Sequence, residues 1–234
     1  MIERAEVVTV HVWRVAARQV PAALASVAVD RGRVRSADGV VFAKLLGTSR
    51  DFSIRDADLT RWVLLVTWRS GDAAHRFGES AVLERWRRRS TECWQARLRP
   101  LASRGSWSRR TPFAAGHATA WDGPVAAVTR ARLVPRRAFG FWRSVPAVAA
   151  DLRGRPGLRV AFGIGEAPLG VQGTFSVWQD TASMREFAHG GAAHRGVIAQ
   201  TAARRWYAEE LFARFGVLSA SGSLDGRDPL DGLR

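Results

Sequence analysis

The chain has 234 residues, 47% of them apolar, and a formal net charge of +15. It is long enough to bury one large core or two small ones and too apolar to be disordered. No run reaches the roughly eighteen uncharged apolar residues of a membrane span, and the opening MIERAEVV carries charges where a signal peptide needs an apolar run. A soluble, cytoplasmic protein is therefore expected. The lone Cys93 excludes an internal disulfide and a multi-cysteine zinc site.

The elements follow from periodicity. In VVTVHVWRV (7–15), Val8, Val10 and Val12 alternate with Thr9, His11 and Trp13, which predicts a strand. VPAALASVAV (20–29) predicts a helix with Pro21 near its start, and VVFAKLLG (40–47) and WVLLVTW (62–68) predict two strands. Asp72 is placed to cap the next helix, Cys93 is expected beside Trp94 on a helix, and a strand near 96–103 closes this part. The segment 108–124, SRRTPFAAGHATAWDGP, has the composition of a linker. Beyond it the order returns: a strand at 125–133, a helix in FGFWRSVPAVAADL interrupted at Pro146, and strands in LRVAFGIG and GTFSVW. A helix capped by Asp180 with Met184, Phe187 and Ala188 on one face follows, then a strand near 210–219.

The two series align. At an offset of 118, Gly39 falls on Gly157, Gly47 on Gly165 and residues 7–15 on 125–133; WRSGDAAHRF (68–77) falls on WQDTASMREF (178–187), and LASRGSW (101–107) on LSASGSL (218–224). Trp94 is paired with Trp206. The expected fold class is α+β, with two tandem ferredoxin-like βαββαβ repeats forming a single-chain counterpart of the dimeric α+β barrel. The expected division is a first repeat at 1–107, a linker at 108–124 and a second repeat at 125–234. The barrel interior, or a gap between sheet and helices, would suit a large apolar ligand.

The charge does not select a partner. The 36 basic residues include one lysine, Lys44, and the arginines are scattered. Arg87, Arg88 and Arg89 are expected to fan around the solvated side of a helix. No aromatic and basic interleaving forms a stacking platform, so no specific nucleic-acid partner is expected. A basic surface can steer an acidic protein or hold a protein near anionic lipid.

The stretches PVAAVTRARLVPRRAFGFWRSVPAV, FGIGEAPL, FSVWQDTASMREFAHG, AHR (193–195) and WYAEELFARFGVL, with FAKLLGT and RWVLLVTW earlier, resemble the spheroidene monooxygenase family of carotenoid ketolases. The resemblance runs from about residue 7 to about residue 230. It implies a haem b (iron) monooxygenase that takes electrons from a ferredoxin and oxidises an allylic carbon of an acyclic carotenoid to a ketone. In HGGAAHRGVI (189–198) the family pattern has a histidine where His194 falls, but usually none at His189, so His194 is the expected axial ligand. A neutral imidazole in the first turn of a helix suits iron. Arg143, Lys44 and Arg195, within the family-like segments, are candidates for the haem propionates, although chance placement competes for each.

The other polar residues are assigned less. Cys93 is read as a small core residue and His11 as a satisfied polar residue facing the barrel interior; His75, on an exposed helix, and His117, in the linker, are assigned no role. Glu209 and Glu210 lie on opposite faces of a strand and do not form paired carboxylates. GIGEAPLG lacks the third glycine of a phosphate loop. Two other classes stay open: a cofactor-independent barrel oxygenase of a small phenolic substrate, and a basic barrel that binds nucleic acid or lipid without catalysis.

Overall fold

The computed structural model describes residues 7–52, 56–113, 120–133, 150–166, 173–190 and 207–233. The N-terminal half supplies β1 (Val7–Val15), α1 (Val20–Arg35), β2 (Val40–Ser49), β3 (Ala57–Trp68), α2 (Gly71–Gly78), α3 (Ala81–Arg89) and β4 (Ser90–Gly105). The C-terminal half supplies β5 (Val125–Leu133), β6 (Leu158–Gly165), β7 (Gly173–Trp178), α4 (Thr181–Gly190) and β8 (Tyr207–Gly222). The strands form a closed antiparallel barrel in the order β1-β3-β2-β6-β7-β5-β8-β4. The fold is a mixed α+β barrel, and closure leaves no sheet edge along most of its wall.

Strand alternation decides what lies inside. Val8, Val10 and Val12 of β1, Phe42 and Leu46 of β2, and Phe162, Phe175 and Phe215 of the later strands turn inward into one continuous core. Two segments close the ends: Trp107 and Phe113 enter the core beyond β4, and Leu224 and Leu230 beyond β8. Side chains thus fill the interior, which removes the first of the two ligand locations expected from the sequence. Phe113 lies in the segment read as a linker, and Trp121 of the same segment lies against Gly216. This stretch therefore packs on the barrel.

The opposite face of β1 is buried too. Val7, Trp13 and Val15 join Trp62, Leu64 and Trp68 of β3 and the helical Val27, Phe77, Leu83 and Trp86 in an outer core. Trp13 and Trp86 stack at 5.0 Å. The fully buried carboxylate of Asp30 on α1 accepts from Trp86 Nε1 at 3.1 Å and from Arg85 at 2.6 Å, tying α1 to α3. Arg87 and Arg88 reach Glu84, and Arg89 reaches Ala22 O and Ser26. The arginine run is thus a helix surface engaged with its own neighbours.

Three local expectations are corrected. The cap of α2 is Ser70, whose hydroxyl accepts from Ala73 N at 3.2 Å, with Asp72 inside the first turn; Asp180 does cap α4, accepting from Ser183 N at 2.7 Å. Cys93 lies on β4 opposite Trp13 rather than on a helix, because α3 stops at Arg89 and the chain extends directly into the strand. The main-chain carbonyls of Cys93 and Glu210 accept from Ser223 and Ser106, which sets Cys93 against Glu210. Trp94 thereby corresponds to Leu211, not to Trp206, which lies outside the described residues.

The registers of the two halves match. Val7 faces Trp68 and Trp68 faces Val40, as Val125 faces Trp178 and Trp178 faces Leu158. Gly39 and Gly157 both adopt positive φ, +74° and +77°, and the carbonyl of each accepts from the amide of the residue after the tryptophan. Gly47 and Gly165 meet directly across β2 and β6.

Candidate functional site

Ionisable side chains gather at the two barrel mouths. At the first, Trp107 donates its indole N–H to Glu166 at 2.7 Å, while Lys44 donates to Glu166 at 2.6 Å and to Ser108 at 2.7 Å. Arg130 reaches Glu166 at 3.2 Å and also Glu209, which accepts from the amides of Ser108 and Arg109 and from Ser106 Oγ. Lys44 and Arg130 lie over the Trp107 ring at 5.8 and 5.7 Å. Two cations meet two carboxylates here. Burial would raise Glu209, but the Arg109 amide, Arg130 and Ser106 outweigh it and hold the carboxyl at about 2. Burial also opposes ionisation of Glu166, and Lys44, Trp107 and Arg130 again win, so its carboxyl lies below the ordinary range. Neither is a poised acid or base; the cluster is a plug.

The second mouth repeats this arrangement. Glu92 accepts from Ser223 Oγ at 2.9 Å and from the amides of Gly226 and Asp225 at 2.7 and 3.1 Å, while Arg14 and Arg61 bond Asp225. Both plugs anchor the hairpin that follows a long strand.

The outer faces of the halves differ. One antiparallel row in the N-terminal half runs His11, Leu64, Leu45; the row in the same register of the C-terminal half runs Thr129, Thr174, Gly163. The neighbouring positions Trp13 and Ala131 repeat the contrast. The first face is therefore filled by its own side chains, whereas the second has a floor of small ones. Beside that floor Arg214 of β8 has a buried Nε with no hydrogen-bond partner among the described residues, and burial followed by the like charge of Arg185 on α4 lowers its pKa. An anion lying on this floor would relieve both.

Of the sequence-predicted residues, Lys44 is bonded to Glu166 in the first plug. His194, Arg195 and Arg143 lie outside the described residues, as does His117. His11 does not face the interior: it lies on the outer side of β1, stacked on Trp13 at 5.7 Å, and burial followed by Arg87 lowers its pKa to about 4. His75 is exposed on α2. Burial pushes the Cys93 thiol up, away from the thiolate form a metal needs. Among the described residues no group of three His, Cys, Asp or Glu side chains could hold a metal ion, and no helix is long and apolar enough to cross a membrane. Arg214, Arg185 and the small floor escaped the sequence reading. A residue-by-residue subtraction of the aligned halves would have exposed the floor.

No protein-family model matches the chain. A solved aldoxime dehydratase superposes with a TM-score of 0.58 at 11% identity, covering 93% of this chain and 83% of that one. A second, in complex with butyraldoxime, gives 0.59 at 10% identity, covering 93% and 81%. At such identities the likeness is one of fold, and it defines the class: a closed α+β barrel. Spheroidene monooxygenase from Rhodobacter capsulatus is 33% identical over 214 residues, covering 90% of this chain and 89% of its own length. The Rubrivivax gelatinosus protein of that name is 38% identical over 192 residues, covering 81% and 73%. The chain belongs to the spheroidene monooxygenase family and is a monooxygenase.

Proposed function

We propose that the protein is a haem-dependent monooxygenase acting on a long apolar polyene of the acyclic-carotenoid type, with the haem on the small-residue floor of the C-terminal half. The observation that carries this reading is the exchange, in matched register, of His11, Leu64 and Leu45 for Thr129, Thr174 and Gly163. Such an exchange leaves room for a flat ligand against one sheet only. Arg214, with its orphaned Nε and no carboxylate partner among the described residues, suits a propionate.

The family pattern supports His194 as the residue that would hold the haem iron, while His11 is buried on the outer side of β1 and His75 is exposed on α2. Arg143 and Arg195 would neutralise the propionates together with Arg214; Lys44 would first have to release Glu166. The chemistry that haem supplies when bound is the activation of dioxygen, with electrons drawn from a ferredoxin. The chain's own part is to keep water from the floor, hold the ligand carboxylates and orient an apolar substrate. The family name carried by the relatives supports the substrate class. The matched registers and paired glycines support a tandem ferredoxin-like duplication, 1–107 and 125–234 joined by 108–124. The net charge of +15 supports docking of an acidic ferredoxin and peripheral contact with an anionic membrane.

The decisive experiment is the ultraviolet-visible spectrum of protein expressed with haem precursor, beside His194→Ala. A Soret band that is lost or shifted in the variant is the expected result. No Soret band in either protein overturns the haem reading and puts a cofactor-independent oxygenase in its place.

A further inference from the structure

The barrel wall is split at one seam. β2 pairs with β6 only through Gly47, Thr48 and Ser49, so its edge from Val40 to Leu46 has no strand partner among the described residues. A cavity of about 480 Å³ occupies the split between α1 and the hairpin at Trp107–Arg110. Its floor is apolar, formed by Val34, Phe42, Leu45 and Leu64. Its rim carries Arg31, Arg35 and Arg110.

These three arginines have an unusual set of partners. Arg31, half-buried, donates to Leu45 O at 3.2 and 3.3 Å and to Glu166 O; Arg35 donates to Arg31 O at 3.1 Å. All are main-chain carbonyls, which orient a guanidinium but leave its charge uncompensated. Arg110 is exposed, and none of the three has a carboxylate partner among the described residues. The only carboxylate among the described residues of the cavity wall, Glu166, is engaged by Lys44, Trp107 and Arg130. Three positive charges without a carboxylate partner among the described residues therefore line one recess that also has apolar walls, where an anion would form charge-assisted bonds.

We propose that this recess binds an amphiphilic anion, a carboxylate or phosphate monoester on an apolar chain, with the head on Arg31, Arg35 and Arg110 and the chain on the floor beneath them. The floor discriminates against a bare inorganic anion and the arginines against a neutral chain. The recess is lined mainly by the N-terminal half, with Glu166 from the C-terminal half, and the proposal does not depend on the haem reading. A free metabolite and a lipid headgroup present the same chemistry.

The test is calorimetric titration with octyl phosphate, inorganic phosphate and octanol. Octyl phosphate should bind saturably at one site, inorganic phosphate about tenfold or more weakly, and octanol not at all. Arg35→Gln with Arg110→Gln should weaken octyl phosphate by about tenfold or more, while Arg18→Gln with Arg33→Gln, which removes the same charge outside the recess, should change it less than about threefold. All four positions are exposed, and unchanged melting verifies that the fold is intact. Absence of saturable binding, or equal weakening by both pairs of substitutions, overturns the proposal. Sedimentation with vesicles of phosphatidylcholine and phosphatidic acid, lost in Arg35→Gln with Arg110→Gln, would assign a lipid headgroup; octyl phosphate binding without sedimentation would assign a free anion.

Discussion

Arg130 and Glu209 form an ion pair inside the first barrel mouth with only 4% and 6% of their side chains exposed. The folded carboxyl of Glu209 lies at about 2 against 4.5 for the free group. A depressed folded pKa contributes stability above pH 4.5 that is lost as pH falls towards 2. Glu209→Gln should cost about 3 kcal/mol at pH 7, and urea midpoints of variant and wild type should converge as pH approaches 2. A gap that stayed constant over this range would remove the ion pair as its cause.

His11 governs a different window. Its folded pKa of about 4 lies below the unfolded 6.5, so its contribution is complete above pH 6.5 and is lost as pH falls through that interval. Wild type should lose about 2 kcal/mol from this group between pH 7 and pH 5, whereas His11→Phe, which keeps the ring against Trp13, should lose nothing there. Denaturant titrations at the two pH values decide it.

The small floor predicts a separation of folding from ligand binding. Gly163→Leu with Thr174→Leu restores the side chains found at Leu45 and Leu64. The variant should keep its barrel circular dichroism and lose the Soret absorbance of haem-loaded protein. Full retention of haem would place the ligand elsewhere.

Gly222 adopts φ +92°, and a Cβ there would collide with the carbonyl of Cys93, as one at Gly105 would collide with that of Glu210. Neither carbonyl can move without breaking the β4–β8 ladder. Gly222→Ala should therefore cost more than about 2 kcal/mol in equilibrium unfolding, well beyond the ordinary penalty for a glycine in open space such as Gly226.

Much of this barrel was legible because alternation and glycine spacing are local signals. Val8, Val10 and Val12 marked an inward face, and Gly39 with Gly157 marked equivalent turns. The plug residues were not legible: Arg130, Glu166 and Glu209 come together through pairing of distant strands and show no periodicity. His11 was assigned to the wrong side because a strand buried on both faces gives no inside or outside by composition alone. Cys93 was expected on a helix because polar residues early in β4, such as Ser90 and Glu92, mask its alternation. For the candidate site, Lys44 was found by resemblance but its partner Glu166 was not, and Arg214 looked like one arginine among many.

The wall is stitched unequally. β4 and β8 run together from Trp94 to Gly105, whereas β2 and β6 share only Gly47 to Ser49. Thermal fluctuations will begin at the weaker stitching, so amides of Thr48 and Ile164 should exchange with deuterium through local opening well before those of Ala96 and Ala213. The barrel then behaves as a hinged cuff, with the long β4–β8 ladder as its spine and the arginine-rimmed recess beside its clasp. An occupant of that recess would slow the exchange at the clasp without touching the spine.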